Sequence, residues 1–308
     1  MSALSQPVCT TTTAHDETRG MLLGMVGVAM FSLTLPFTRM AVAALDPLFV
    51  ALGRALGAAL LAGAWLAWRR PAMPPHAAWL PLTLVMLGVV IGFPLLSSLA
   101  LRHVPASHGA VLAGLLPLMT TMYAAVRGDE RPSAGFWLMA VLGAALVIAF
   151  ALIQGGGALH PADLLMFAAM AAGAIGYAEG GKLARTLGGP ETICWALLLA
   201  APLVAPLLAW RYGDQLSTFA GAGAAAWFGL GYVTLFSMFI GFFFWYRGLA
   251  LGGIARVGQV QLLQPFMTLV GAALLLGEAL TIPNCLFALA VIGVVCAGRR
   301  LQVRRRPG

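Results

Sequence analysis

The chain carries very little charge: 9% of its 308 residues are Asp, Glu, Lys or Arg, and only 10 are acidic. Soluble domains carry about 25% charged residues, so a water-soluble globular fold is excluded. The four cysteines form no Cys-x-x-Cys pair, and the histidines have no metal-ligand spacing. There is also no Walker loop and no Ser-His-Asp arrangement. These absences exclude ATP hydrolysis on this chain and predict no enzymatic activity, no metal and no cofactor.

What the chain has in abundance is apolar sequence, with 61% hydrophobic residues and a mean hydropathy of +0.92. A membrane-spanning helix needs about 20 apolar residues. Turn-forming Gly and Pro residues separate the long apolar runs. Ten spans are predicted: 20–41, 46–68, 77–101, 105–127, 134–153, 161–186, 190–210, 222–250, 253–276 and 282–298.

The basic residues predict the orientation of these spans. With a cytoplasmic N-terminus, the inside receives fourteen of the 18 basic residues: Arg19, Arg69, Arg70, Arg127, Arg131, Lys182, Arg185, Arg247, Arg256, Arg299, Arg300, Arg304, Arg305 and Arg306. The outside receives Arg39, Arg102 and Arg211, so the bias is strongly positive-inside. Both termini are therefore expected in the cytoplasm of a bacterial-type inner membrane. Because the basic residues do not form a face, the net charge of +8 points to anionic lipid at the tail rather than to nucleic acid.

The sequence also repeats itself weakly. Three residue pairs share one separation along the chain: Pro117 and Pro265, Thr120 and Thr268, Glu130 and Glu278. Two further pairs share a slightly smaller separation, which a short indel reconciles: Phe31 and Tyr177, Arg39 and Arg185. Duplication in a polytopic membrane protein is typical of transporters built from structural repeats. Since each half has an odd number of spans, the second half must be inverted relative to the first.

In these features the chain resembles the EamA-type transporters of the drug/metabolite transporter superfamily. The matching motifs are Phe31-Ser32 leading to Pro36, Arg54 before an Ala/Leu-rich run, Gly114 to Pro117 leading to Gly128-Asp129-Glu130, and Gln264-Pro265 leading to Gly277-Glu278. The resemblance extends over residues 20 to 298. It implies export or exchange of small metabolites, including amino acids. It also implies a cavity where spans 1, 3, 4, 6, 8 and 9 meet, with Ser32, Pro36 and Tyr177 as substrate-site candidates.

We therefore predict an all-α polytopic membrane protein with ten transmembrane helices in two inverted five-helix repeats. The expected domains are a disordered cytoplasmic tail (1–19), the two repeats (20–153 and 161–298) and a basic cytoplasmic tail (299–308). Proline breaks at Pro36, Pro94, Pro117 and Pro265 would supply hinges or exposed carbonyls. The predicted function is secondary export of small metabolites by alternating access. A non-transporting scaffold or helper subunit, or a lipid-modifying enzyme, is the competing class, and the sequence leaves a homodimer open.

Two charged residues inside spans are candidates for the mechanism. Arg54 lies well inside span 2, where a charge costs about 2.5–3.5 kcal/mol on insertion scales unless it faces the bundle interior or snorkels. It is either a partner for a substrate carboxylate or a structural or snorkelling arginine. Glu179 is the one carboxylate well inside a span. It is either a proton-coupling site or an interfacial partner of Lys182.

Neutral candidates come from spans 8 and 9. Gln261 and Gln264 share a helix face just before Pro265 and could bind a polar substrate or join neighbouring helices. Phe239 and Phe243 fall on one stripe of span 8, where they could line a cavity or pack in the core.

Overall fold

The computed structural model describes residues 14–127, 130–131, 133–154, 156–157, 159–215, 219, 221–253, 257–258, 260–300 and 304–305. Nearly all of them are helical. In that part of the chain the only strands are β1 (Glu130–Arg131) and β2 (Arg304–Arg305), which pair antiparallel. The predicted all-α fold is confirmed.

Ten long helices follow one another in the described part of the chain. The first half contains α1 (Ala14–Ser32 and Thr34–Val42), α2 (Pro47–Arg69), α3 (His76–Leu101), α4 (Ala106–Ala113 and Leu116–Arg127) and α5 (Ala134–Gln154). The second half contains α6 (Pro161–Leu183), α7 (Gly189–Tyr212), α8 (Ala224–Gly252), α9 (Gln261–Leu276) and α10 (Ile282–Arg300). A short turn of 3₁₀-helix, Gly213–Gln215, follows α7.

Seven of these helices (α1, α2, α3, α5, α6, α7 and α8) are long and apolar enough to cross a membrane, while α9 and α10 are shorter apolar helices. A break at Gly114 and Leu115 divides α4 into two segments. One boundary prediction was wrong, because α1 begins at Ala14 and residues 14–19 are helical rather than disordered. Asp16 and Glu17 lie in its first turn, where acidic side chains favour helix formation. Residues 1–13, 301–303 and 306–308 of the predicted tails lie outside the described residues.

Each of the four predicted proline breaks coincides with an irregular helical turn. A proline cannot donate a hydrogen bond to the carbonyl four residues earlier, and its ring clashes with that carbonyl. The irregular turns are at Leu33 before Pro36, at Met86–Gly92 (π-helical) around the turn before Pro94, at Gly114-Leu115 before Pro117, and at Gln261–Leu263 (3₁₀) before Pro265. A second π-helical stretch, Val233–Ile240, lies in α8, which corresponds to α3 in the repeat. The irregular turns of α3 and α8 correspond, as do those of α4 and α9, whereas the break at Leu33 of α1 has no counterpart in the continuous helix α6.

The packing repeats in the same way. Helix α1 packs along α8, and the corresponding α6 packs along α3. Both contacts are very close: a Cβ at Gly20 would lie 2.5 Å from the backbone nitrogen of Gly252, and one at Gly88 would lie 2.6 Å from the Ala172 carbonyl oxygen. Helices α2 and α7 pack together, as do α5 with α10 and α4 with α9. This arrangement is that of two five-helix units related by an approximate two-fold axis.

The bundle has two ends, which we call the termini end and the far end. The termini end carries the start of α1, the end of α10, and the α4–α5 and α8–α9 connections. The far end carries the connections before α2, α4, α6, α8 and α10. Large apolar side chains cover the outer surface between the two ends, including Trp210 (82% exposed) and Leu274 (79% exposed). Such a surface suits lipid rather than water.

Candidate functional site

A small cavity lies in the middle of the bundle. Its walls come from α1, α3, α4, α6, α8 and α9, the six helices that the family resemblance implied, and α2 contributes Arg54. Its volume is about 20 Å³, which is about the room that one water molecule needs. Sites for small molecules usually enclose about 300–1,000 Å³. The bundle is therefore closed around this site.

Arg54 is the charged group of the cavity. Its side chain is 2% exposed, which rules out the snorkelling alternative. Nη2 donates a hydrogen bond to Ser237 Oγ at 3.1 Å. Nε and Nη1 have no hydrogen-bond partner among the described residues, and neither ion pair found there includes Arg54. A buried cation without a paired anion costs several kcal/mol.

Three neutral polar groups surround the guanidinium. Thr34 Oγ1 on α1 lies 2.8 Å from Ser237 Oγ on α8, which holds Ser237 beside Arg54. Gln264 on α9 also lines the cavity, and its carboxamide oxygen has no partner among the described residues. Two residues that line the cavity thus have polar atoms without a partner among the described residues: two nitrogens of Arg54 and the carboxamide oxygen of Gln264.

Aromatic rings form the wall next to these polar groups. Phe31 and Tyr177, which correspond in the repeat, stack with ring centroids 5.9 Å apart, and Phe242 lies 4.9 Å from Phe31. Tyr177 was a sequence candidate and does line the cavity. This wall is apolar, so the site combines a charged pole with a surface that suits an apolar side chain.

Several sequence candidates lie elsewhere. Ser32 donates to the Ala29 carbonyl oxygen at 2.7 Å within its own helix, and Pro36 is buried one turn beyond Leu33 without lining the cavity. Gln261 is buried, and its Nε2 atom has no partner among the described residues, but it does not line the cavity either.

The predicted aromatic stripe of α8 follows the core-packing alternative. Phe239 and Phe243 pack on each other with centroids 4.6 Å apart, and Phe243 meets Trp65 of α2 at 5.4 Å. Neither ring lines the cavity, whereas Phe242 does.

Glu179 lies at the termini end of α6 and is 4% exposed. Its Oε1 atom accepts hydrogen bonds from Tyr123 Oη at 2.8 Å and from Arg127 Nε at 3.3 Å. Both donors belong to α4, so the ion pair joins α6 to α4 and is not the predicted pair with Lys182. We call Glu179, Tyr123 and Arg127 the termini-end latch.

A second charged contact joins the same two helices near the far end. His108 Nε2 of α4 lies 2.6 Å from Asp163 Oδ1 of α6, and both side chains are buried. They line a wider cavity of about 460 Å³. Glu278 also lines it and caps the start of α4, where its carboxylate oxygens accept hydrogen bonds from the backbone N–H groups of Ala106 at 2.9 Å and Ser107 at 2.8 Å. The conspicuous Gly277-Glu278 motif thus has a structural task.

Sequence reasoning missed Thr34, Ser237, Tyr123 and the His108–Asp163 pair. Ser237 left a signal, since it is a hydroxyl residue within the aromatic run of α8. The others left none, because their importance depends on partners more than 50 residues away in the chain.

Comparison with known proteins agrees with this architecture. The EamA-like transporter family matches residues 18–152 and again residues 160–298. A Bacillus subtilis protein described as the uncharacterized transporter YdeK is 48% identical over 286 residues, covering 93% of this chain and 99% of that protein. A probable terminal-alkyne amino-acid exporter of Streptantibioticus cattleyicolor is 31% identical over 211 residues, covering 66% and 68%. One solved crystal structure superposes with a TM-score of 0.63 at 18% identity, covering 93% of this chain and 99% of the other.

Proposed function

The chain belongs to the EamA-like transporter family and is a membrane transporter, and we propose that it exports small carboxylate-bearing metabolites, such as amino acids, from the cytoplasm. The observation that carries this proposal is Arg54, a buried guanidinium in which two nitrogens have no hydrogen-bond partner in the part of the chain that the structure describes. A guanidinium binds a carboxylate through two parallel hydrogen bonds. The charge that the protein leaves unpaired would then be paired by the substrate.

The rest of the cavity fits the remainder of an amino acid. The free carboxamide oxygen of Gln264 can accept a hydrogen bond from an ammonium group. The rings of Phe31, Tyr177 and Phe242 offer an apolar surface for the side chain. The relative named as a probable terminal-alkyne amino-acid exporter supports the same class of substrate.

Transport would proceed by alternating access. The closed cavity must widen toward one end of the bundle at a time, and the irregular turns before Pro36, Pro94, Pro117 and Pro265 are the points at which the helices can bend. Helix α4 is joined to α6 at both ends, by His108–Asp163 and by the termini-end latch. We propose that these two contacts are broken alternately.

We further propose that Glu179 couples transport to protons. Both donors of α4 bond to its Oε1 atom. Protonating the carboxylate would remove its charge and weaken both bonds. Proton uptake and separation of α4 from α6 would therefore be linked.

Counterflow in proteoliposomes tests the substrate class. We expect accumulation of an α-amino acid, and at least about tenfold slower accumulation of the matching amide and amino alcohol, because these cannot pair with the buried guanidinium. Leucine, leucinamide and leucinol form such a set within a wider panel of amino acids. Liposomes without the protein are the control. Equal rates for all three compounds would contradict the carboxylate proposal, and no counterflow with any compound of the panel would reject amino acids as the substrate class.

Reporter fusions test the orientation. A C-terminal reporter that is active only in the periplasm is expected to stay inactive, because the positively charged connections and the basic tail should remain in the cytoplasm. The same reporter fused after truncation at Asp214, in the α7–α8 connection at the far end, should be active. The reverse pattern would place the far end in the cytoplasm and reject the proposed orientation.

A further inference from the structure

Three buried hydroxyl groups between the central cavity and the far end have no hydrogen-bond partner among the described residues. They belong to Thr38 in α1, Ser98 in α3 and Thr268 in α9, and all three residues are 0% exposed. A buried polar group without a partner is unfavourable, and few occur in native proteins. Three of them in neighbouring helices therefore require an explanation.

The lack of partners is not a general property of hydroxyl residues in this bundle. Within the spans, seven other Ser and Thr side chains donate to a carbonyl oxygen three or four residues earlier in their own helix: Ser32, Thr83, Ser97, Thr120, Thr121, Thr192 and Thr234. This is the usual arrangement for a hydroxyl in an apolar helix. Ser97 adopts it while its neighbour Ser98 does not.

Two corresponding positions of the repeat differ in the same way. Thr120 corresponds to Thr268, and each lies three residues after a proline. Thr120 Oγ1 donates to the Leu116 carbonyl oxygen at 2.8 Å, whereas Thr268 Oγ1 makes no such bond. The same residue in the same local sequence is satisfied in one half and free in the other.

The free hydroxyls continue the polar faces of the cavity toward the far end. Thr34 and Gln264 line the cavity. Thr38 lies four residues beyond Thr34, and Thr268 lies four residues beyond Gln264, so each is on the same helix face one turn farther on. The Thr34–Val42 segment of α1 packs against both the Phe93–Leu101 segment of α3 and α9. Ser98 therefore comes from a segment that borders the same region.

We propose that Thr38, Ser98 and Thr268 line the far half of the transport path and bond in turn to the charged head of the substrate as it leaves Arg54. The proposal deepens the proposed function and rests on it. At the far-end mouth, Arg39 Nη1 donates to the Leu101 carbonyl oxygen and bridges α1 and α3. This contact closes the path in the present conformation. The head group and water would satisfy the three hydroxyls when the path opens.

Cysteine labelling tests whether the path admits water. In a background with Cys9, Cys194, Cys285 and Cys296 replaced, Thr38→Cys, Ser98→Cys and Thr268→Cys are treated with a membrane-impermeant thiol reagent from the far side. Val270→Cys, on the 49% exposed lipid face of α9, is the control. We expect the three path cysteines to react at least about tenfold faster than Val270→Cys, because a thiol needs water to form the reactive thiolate. Reaction no faster than that of Val270→Cys at all three sites would overturn the proposal.

This labelling requires no substrate, so it can succeed even if the carboxylate assignment fails. The substrate assignment is tested separately, by asking whether a saturating concentration of amino acid protects the three cysteines from labelling. Labelling that the amino acid does not prevent would support the proposed path and contradict the proposed substrate class.

Removing one hydroxyl tests its role in transport. Thr268→Val keeps the shape of the side chain and should not lower the melting temperature, because the hydroxyl makes no bond within the described protein. We nevertheless expect transport to slow roughly three- to tenfold, because one hydrogen bond to the moving substrate is lost. Thr120→Val, whose hydroxyl is already bonded, is the matched control and should transport at the wild-type rate. Equal transport rates for the two variants would show that Thr268 is structural.

Discussion

Replacement of Arg54 by alanine is expected to lower transport of a carboxylate substrate by at least about a hundredfold, because removing one partner of a buried charge pair costs about 3–5 kcal/mol. Expression and membrane insertion should stay normal or improve. The substitution removes a buried charge that has no partner anion among the described residues. The measurement is initial counterflow rate per inserted protein, with insertion checked by gel filtration in detergent.

Two further variants separate binding from packing. Arg54→Lys keeps the charge but loses the planar pair of donors, so it should retain intermediate activity. Arg54→Met keeps much of the volume without the charge and should behave like alanine. All three variants should also discriminate less between the amino acid and its amide. Unchanged transport in Arg54→Ala would show instead that the guanidinium only joins α2 to Ser237 of α8.

The architecture could be predicted because the bilayer restricts what the chain can do. Apolar length and turn residues place each span, and backbone groups in lipid must be satisfied within a helix. The four proline breaks follow from the same constraint. Arg54 could be singled out for a similar reason, because a charged side chain inside a span is costly unless it faces the bundle interior or reaches the membrane surface.

The hydrogen-bond and ion-pair partners of these side chains could not be predicted, because they depend on which faces of distant helices meet. Lys182 is close to Glu179 in the sequence, but α6 presents Glu179 to Tyr123 and Arg127 of α4. The sequence offered Phe239 and Phe243 as cavity or core residues, but not Phe242, which lines the cavity. Which ring of an aromatic run faces the cavity depends on how α8 packs, and the π-helical stretch within α8 has no single-residue signal comparable to a proline.

The two contacts that hold α4 to α6 differ in character, and this difference bears on coupling. At the termini end, the Arg127 side chain is 45% exposed while that of Glu179 is 5% exposed. One partner of this pair reaches solvent, whereas His108 and Asp163 are both buried. If the latch opens during the transport cycle, the buried Glu179 carboxylate loses its donors, and protonation would lower the cost of that opening.

Substitution of Glu179 by glutamine is expected to make net transport insensitive to an imposed pH gradient while exchange of substrate across the membrane continues. Glutamine keeps the shape of the side chain and can still accept from Tyr123 and Arg127, but it cannot bind and release a proton. Net transport and exchange are measured in proteoliposomes with and without the gradient. The wild-type protein is expected to respond to the gradient under the same conditions.

Arg127→Gln is the matched control, because it removes the charge of the latch and leaves the carboxylate in place. If Glu179 carries the proton, Arg127→Gln should change the rate of exchange but retain the response to the gradient. If the latch acts only as a mechanical contact, the two variants should behave alike, and both should follow the gradient as the wild type does. That result would make Glu179 structural, and it would direct the search for coupling to the other charged contact between α4 and α6, His108 and Asp163.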